Sequence, residues 1–451
     1  MGVRIRSRGQ LLRAPRALAI LCAVLPLLLA AGSAGAQERG AVIVTPGSAK
    51  TFRVALQRFA DASPDTARAE RFRDALGAAL DYSGVFQNLD PKAFLAPIVT
   101  GSLGDDVVCS EWAQIGADAL VQGVLRAEGE LVVEWQVWDL ARCALAERKR
   151  YRQALDGDPA RIAKRIADDV VAVFIGLRGV SSTEIAYISD RGGNSEVWVM
   201  DADGGNARSA TANGSINAFP SWTPDGNAIV YTSYRFQNRP KLFISSRAGR
   251  PPGRLLPHLN GSMSQFRGVY GPAGRLAVVL SNGEEATDIY SVGDHGRSLQ
   301  QLTRSRAIEI GPAWSPDGKR IAFVSDRSGS PQIYLMDAGG GNVRRLTFEG
   351  NYNTHPAWSP DGRWIAYESR LEAQFDIWLI DVEGAVNVPL VDHPRSDESP
   401  TWAPNSRKLA FGSTRRGRSD VYVIDVSGDN LRRLTDGRGN DRSPAWGPFP
   451  N

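Results

Sequence analysis

From about residue 185 onward, short apolar runs recur at fixed spacing. Six of them align as Ile185-Ala-Tyr-Ile-Ser-Asp190, Ile229-Val-Tyr-Thr-Ser233, Ala277-Val-Val-Leu-Ser281, Ile321-Ala-Phe-Val-Ser-Asp326, Ile365-Ala-Tyr-Glu-Ser369 and Leu409-Ala-Phe-Gly-Ser413. Successive starts lie 44, 48, 44, 44 and 44 residues apart. A second ladder keeps the same steps: Trp222-Thr-Pro-Asp-Gly226, Tyr270-Gly-Pro-Ala-Gly274, Trp314-Ser-Pro-Asp-Gly318, Trp358-Ser-Pro-Asp-Gly362, Trp402-Ala-Pro-Asn-Ser406 and Trp446-Gly-Pro448. Repeats of this length, each holding several short strands, predict a six-bladed β-propeller with four strands to a blade.

One unit reads strand by strand. Pro356-Ala-Trp358 is a strand and Pro360-Asp361-Gly362 a tight turn, with proline presetting φ and glycine accepting a positive one. Trp364 to Ser369 is the next strand, and Asp376 to Asp381 the third. The third strand is apolar on both faces, as expected of a strand sandwiched between neighbouring sheets. A more polar outer strand follows, carrying Arg344-Arg345 or Arg432-Arg433 in other repeats, pairs that read either as an anion site or, the favoured reading, as charges that guard an edge against aggregation. The first repeat lacks a Trp-x-Pro strand before it and the chain ends with a spare one, Ser443-Pro-Ala-Trp446. That terminal strand is expected to complete the first blade and close the ring.

The pattern before residue 178 is different. Phe52 to Leu56 alternates as a strand. Ser63-Pro64 reads as cap and first turn of a helix to about Tyr82, with Phe72, Ala75, Leu76 and Ala79 on one face. A further helix is expected from Ser110, strands at Ala119–Leu125, Leu131–Asp139 and Ala144–Tyr151, and a last helix from Asp158-Pro159 to about Ile175. The expected organisation is therefore a small α/β domain over 37–178, opened by an extended leader (37–50), and a propeller over 179–451. Within the leader, Ala41-Val42-Ile43-Val44-Thr45 is a β-prone piece that reads either as a disordered stretch or as a strand free to add to a partner's sheet.

Composition changes this picture at one end. The chain has 451 residues, 53 Lys+Arg and 49 Asp+Glu, for a net charge of +4. Arg4, Arg6, Arg8, Arg13 and Arg16 account for the excess; without them the balance is 48 to 49, or −1. A near-neutral body gives no argument for nucleic acid or an anionic membrane. The basic stretch runs into apolar residues 17–30, interrupted by Pro26, and then Ala34-Gly35-Ala36, which reads as an export signal cleaved after residue 36. The rival reading, a membrane anchor, needs about 20 apolar residues. In an oxidising compartment Cys109 and Cys143 are favoured as a disulfide over two buried thiols that never meet.

Catalytic signatures are missing. The sequence holds no G-x-S-x-G, no P-loop, no G-x-G-x-x-G and no H-E-x-x-H. Its four histidines, His258, His295, His355 and His393, fall in different repeats without ligand spacing, so no metal or cofactor is expected. The pairs Asp397-Glu398 and Glu284-Glu285 read as solvated loop charges. Recognition is the expected chemistry, and the loops entering the innermost strands are its expected place. They end in Asn217-Ala218-Phe219, Gln265-Phe266-Arg267, Glu309-Ile310-Gly311, Thr354-His355, Asp397-Glu398-Ser399 and Asp441-Arg442-Ser443, and they differ between repeats whose strands are alike. A propeller hydrolase or lyase, or a glycan or small-ligand binder using Phe219, Phe266 and Tyr352, are the alternatives.

An export signal, a small α/β domain and Trp-Ser-Pro-Asp-Gly blades in this order resemble the TolB family of the Tol-Pal system. In the first domain the resemblance rests on Ala78-Ala-Leu-Asp-Tyr-Ser-Gly-Val-Phe86, on Trp112 to Gly123 and on the run from Ala167-Asp168-Asp169 to Gly176. It implies a non-enzymatic periplasmic adaptor that supports outer-membrane integrity and cell division. The lipoprotein Pal would bind at the propeller mouth, through Asn217, Phe219, Gln265, Phe266, Arg267, Glu309, Ile310, Thr354, His355, Glu398, Ser399 and Arg442. TolA would contact the strand Ala41 to Thr45. No nucleic acid and no membrane insertion are implied, and the chain is expected to be monomeric outside its complexes. Two features depart from the family's pattern: the second repeat is 48 residues long with a degraded turn, and the leader has no close motif match.

Overall fold

A computed structural model describes residues 51–61, 66–94, 103–249, 253–255, 259, 263–281, 287–293, 298–371 and 373–450. The expected export signal, the strand expected at Ala41–Thr45, Ser63-Pro64, His258 and His295 lie outside the described residues.

The amino-terminal domain is a mixed sheet of β1 (Phe52–Leu56), β2 (Ala60–Asp61), β3 (Phe86–Asn88), β4 (Ala119–Glu128), β5 (Glu130–Asp139) and β6 (Ala144–Ala154), in the order β3-β1-β4-β5-β6 with β2 beside β4. β1 runs parallel to β3 and β4, while β4, β5 and β6 are antiparallel. Alternation along the strands divides the core. Val54, Leu56, Ala119 and Val121 face helices α1 (Thr66–Tyr82) and α3 (Pro159–Ile175), whereas Ala55 and Leu120 face the short helix α2 (Cys109–Gln114) through Trp112. Asp158 caps α3 by accepting from the Ala160 amide, Pro159 occupies its first turn, and Gly176 ends it at φ 71°. Cys109 and Cys143 are joined in a disulfide that ties the start of α2 to the β5–β6 hairpin, with 5.7 Å between their Cα atoms.

Residues beyond Glu184 form six four-stranded antiparallel sheets around a channel. Blade five is typical, with strands Tyr352–Trp358, Trp364–Arg370, Asp376–Asp381 and Asn387–Val391 from the axis outward. Its third strand packs both ways, Ile377 and Leu379 against blade six and Ile380 against blade four. Each such side chain contributes about 2 kcal/mol by leaving water. The last strand, Asp441–Trp446, pairs with Glu184–Ser189 of blade one in the register Trp446 to Ile185, so the two ends of the propeller share one sheet.

Tryptophans stitch the blades at the axis. Nε1 of Trp222, Trp314 and Trp402 donates to a carbonyl of the preceding inner strand, at Ala445, Val269 and Ala357. In the turns that follow, Asp225, Asp317 and Asp361 accept from the neighbouring Thr or Ser hydroxyl and from a backbone amide two residues on. Those hydrogen bonds hold the Asp225 and Asp317 carboxyls below the usual range.

The α/β domain sits on the propeller face that carries these turns. Lys164 of α3 reaches Asp201 at 2.7 Å and Asp203 at 2.6 Å, the Tyr82 hydroxyl donates to the Ala202 carbonyl, and Asn405 donates to the Arg178 carbonyl. Buried Asp168 accepts from the amides of Ser181 and Ser182, fixing the linker to α3. The loops that enter the inner strands open on the opposite face.

Candidate functional site: the neck of the propeller channel

Every inner strand carries an irregularity at the same place. Register against the second strand shifts between Ala218 and Ser221, Phe266 and Val269, Ile310 and Ala313, Thr354 and Ala357, Glu398 and Thr401, and Arg442 and Ala445. At each bulge one residue adopts a left-handed backbone: Phe219 (φ 53°), Arg267 (46°), Gly311 (64°), His355 (50°), Ser399 (56°) and Ser443 (50°). Five of the six are not glycine, and the conformation costs such residues roughly 1–2 kcal/mol each. Strain repeated around one ring is what a preorganised site stores.

The bulges form the neck of the channel. Phe219, Arg267, Ser399 and Ser443, with the prolines at 220, 312, 356, 400 and 444, line a cavity of about 230 Å³ that continues toward the tryptophan ladder. The Arg267 guanidinium lies 5.3 Å from the centroid of the Phe219 ring. It extends past Gly311, where a Cβ would stand 3.4 Å from Nη1, so the absence of a side chain there gives it room. No described residue forms an ion pair or a hydrogen bond with the guanidinium; only its backbone amide is engaged, by the Thr232 hydroxyl. Burial pulls this guanidinium down to about 10, a loss offset only in part by the charge of Glu368.

Glu368 organises the other side of the neck. It is buried, accepts from the Ser399 amide, and brings Oε1 to 2.9 Å from Nδ1 of His355, a close approach without the alignment of a hydrogen bond. Glu398 stands beside this cluster with its side chain largely exposed, and partial desolvation together with repulsion from Glu368 and Asp397 raises its carboxyl above the usual range. Glu368 was not among the expected site residues. Its signal is present in the sequence, because the equivalent positions of the other repeats are Ile188, Thr232, Leu280, Val324 and Gly412.

The structure divides the twelve expected mouth residues into groups. Phe219, Arg267, His355 and Ser399 are neck residues, and Glu398 is exposed beside them. Arg442 is half-buried and donates to Ser195. Asn217, Gln265, Glu309 and Thr354 depart from the expected exposure, since all four are buried. Asn217 donates to Glu196, and Gln265 receives the Leu242 amide and donates to the Leu259 carbonyl. Glu309 pairs with Arg327 at 2.8 Å and with Ser325. The same position holds Asp397 paired to Arg415 and Asp441 paired to Arg191, so in these three blades it clamps the inner strand to an arginine that follows the blade's second strand. Phe266 and Ile310 pack against the core between blades three and four. The aromatic trio expected for a glycan does not converge: Phe219 carries Arg267, Phe266 is in that core and Tyr352 is edge-on to Phe375. Among the described residues no three of His, Cys, Asp and Glu gather as metal ligands would.

Two family models match the chain, the "TolB beta propeller domain" over residues 171–450 and the "TolB amino-terminal domain" over 40–145. Among curated proteins, the Tol-Pal system protein TolB of Anaeromyxobacter dehalogenans strain 2CP-C is 38% identical over 299 residues, covering 65% of this chain and 66% of that protein. The protein of the same name from Anaeromyxobacter sp. strain K is 39% identical over 299 residues, with 65% and 66% coverage. The chain thus spans a little under two thirds of these relatives' length. A crystal structure of TolB from Acinetobacter baumannii superposes with a TM-score of 0.76 at 22% identity, over 89% of this chain and 97% of that one, which shows a common fold.

Proposed function

The chain belongs to the TolB family, and on that premise we propose that it is a non-enzymatic adaptor of the Tol-Pal system, working in the periplasm. Pal is its proposed partner at the propeller mouth. The observation that carries this reading is the Arg267 guanidinium, which has no ion-pair or hydrogen-bond partner among the described residues and is held in a partly desolvated neck by strained backbone. A cation in such a place, compensated only in part by Glu368, favours a partner that inserts an acidic side chain, because a charge-assisted pair is stronger there than in water. Phe219, His355, Ser399 and Glu398 surround the point of insertion. Specificity then comes from the unlike side chains that the six like blades present.

The proposed contact with TolA through Ala41 to Thr45 rests on the family and on the β-prone pattern of that segment. Roles in outer-membrane integrity and cell division follow from membership in the system.

Calorimetric titration of the chain from Gln37 to Asn451 with the soluble domain of Pal from the same organism tests the reading. A saturable 1:1 complex is expected. A folded propeller that gives no heat of binding with Pal would overturn it.

A further inference from the structure

A second cavity, of about 340 Å³, lies at the seam between the α/β domain and blades one and two. Five cationic side chains line it: Arg152, Arg161, Lys164, Arg165 and Arg247. Three acids line it as well, and all are already engaged. Glu184 pairs with Arg247 and Arg208, Asp201 with Lys164, and Asp225 is hydrogen-bonded to Thr223 and Asn227 in its own turn, leaving one uncompensated negative charge on the propeller side of the cavity. Arg152 is paired outward with Glu130 at 2.8 Å.

That leaves Arg161 and Arg165, four residues apart and so on one face of α3, each without an acidic partner among the described residues. Arg165 is fixed in place by the Tyr151 ring, 4.8 Å from its guanidinium carbon, yet its buried Nε has no hydrogen-bond partner. Two like charges one turn apart repel each other, and a buried donor left unmade costs free energy. Both penalties vanish if an acceptor with several oxygens occupies the cavity.

We propose that this seam is a binding site for a small, multiply charged oxyanion of the phosphate or polycarboxylate class, gripped by the planar forks of Arg161 and Arg165. Guanidinium forks match two oxygens of one such group at once, which a lysine ammonium does not. The ligand would touch α3 on one side and the propeller on the other. Its binding therefore favours the docked arrangement of the two domains and raises the stability of the whole chain. The site is separate from the channel neck and independent of any partner bound there.

The test is titration of the Gln37–Asn451 chain, in phosphate-free buffer, with pyrophosphate and with citrate, against potassium chloride at equal ionic strength. Saturable binding of either anion with a dissociation constant below about 1 mM is expected, with a rise in thermal midpoint that saturates at the same concentration. R161Q/R165Q should weaken binding at least tenfold, R161K/R165K should recover part of it, and Arg416→Gln on the opposite face should change nothing. Pyrophosphate alone would mark a phosphoryl site, and both anions a general oxyanion site. Neither anion saturating on the folded protein, or R161Q/R165Q binding as tightly as the parent, would overturn the proposal.

Discussion

The Arg267 guanidinium rests on the ring of Phe219, 5.3 Å from its centroid, and points along the neck past Gly311. The two residues come from adjacent blades and hold the same bulge position, 48 residues apart in sequence. A cation over an aromatic face recovers only about 0.5–2 kcal/mol, less than a buried guanidinium loses in leaving water. Arg267→Leu is therefore expected to leave the thermal midpoint within a few degrees of the parent or raise it, whatever it does to binding. Differential scanning calorimetry checks this; a large loss of stability would mean that Arg267 serves the fold.

Glu309 should behave in the opposite way. It is buried against Arg327, Ser305 and Ser325, so Glu309→Ala strands a guanidinium and two hydroxyls and is expected to cost about 3 kcal/mol. Glu309→Gln should cost less, because the amide oxygen can still accept from Arg327 and Ser325. Denaturant unfolding of the two variants separates them.

Asp168 sets a pH dependence. Its carboxyl is buried, and burial raises it to about 6 against the opposing hydrogen bonds from Ser182 and Ser181. Below pH 4 the group is protonated in both folded and unfolded chains. As pH rises through about 6 the unfolded chain has already ionised, so stability from this group is lost, by about 3 kcal/mol in all. Relative to Asp168→Asn, the parent should lose stability between pH 4 and pH 6 and then level off. A difference that stays flat across that window would contradict the assignment.

The disulfide closes a loop with a sequence separation of 34 residues. Replacing both cysteines by serine should lower the stability of the α/β domain by about 3–4 kcal/mol. The propeller lies outside the loop and should keep its own unfolding transition.

Ring closure is testable by truncation. Removing residues 441–451 leaves the backbone of Glu184–Ser189 without its inner partner and deprives Trp222 of the Ala445 carbonyl. The truncated chain should lose its sharp unfolding transition and associate through the exposed edge, visible by size-exclusion chromatography.

The ring, its six blades and its closing strand were legible because a 44-residue period leaves little freedom in the topology. The mouth was legible only in part. Loop identity pointed to one end of the inner strands, but the bulge there sets two residues opposite one and breaks the alternation. Asn217, Gln265 and Glu309 therefore turn inward as clamps while Phe219, Arg267 and Ser399 line the channel. Glu368 could have been found by asking which rung of the ladder breaks an apolar column. The docking of Lys164 on Asp201 and Asp203 could not, since charges 37 and 39 residues away carry no periodic signal.

The most direct measurement is the affinity of the soluble Pal domain for Arg267→Gln, compared with the parent and with Glu309→Gln, at two salt concentrations. The expected result is a loss of at least tenfold, or about 1.4 kcal/mol, for Arg267→Gln, with a weaker dependence on salt, while Glu309→Gln binds as the parent does. Equal affinity of Arg267→Gln and the parent would contradict an acidic insertion at the neck.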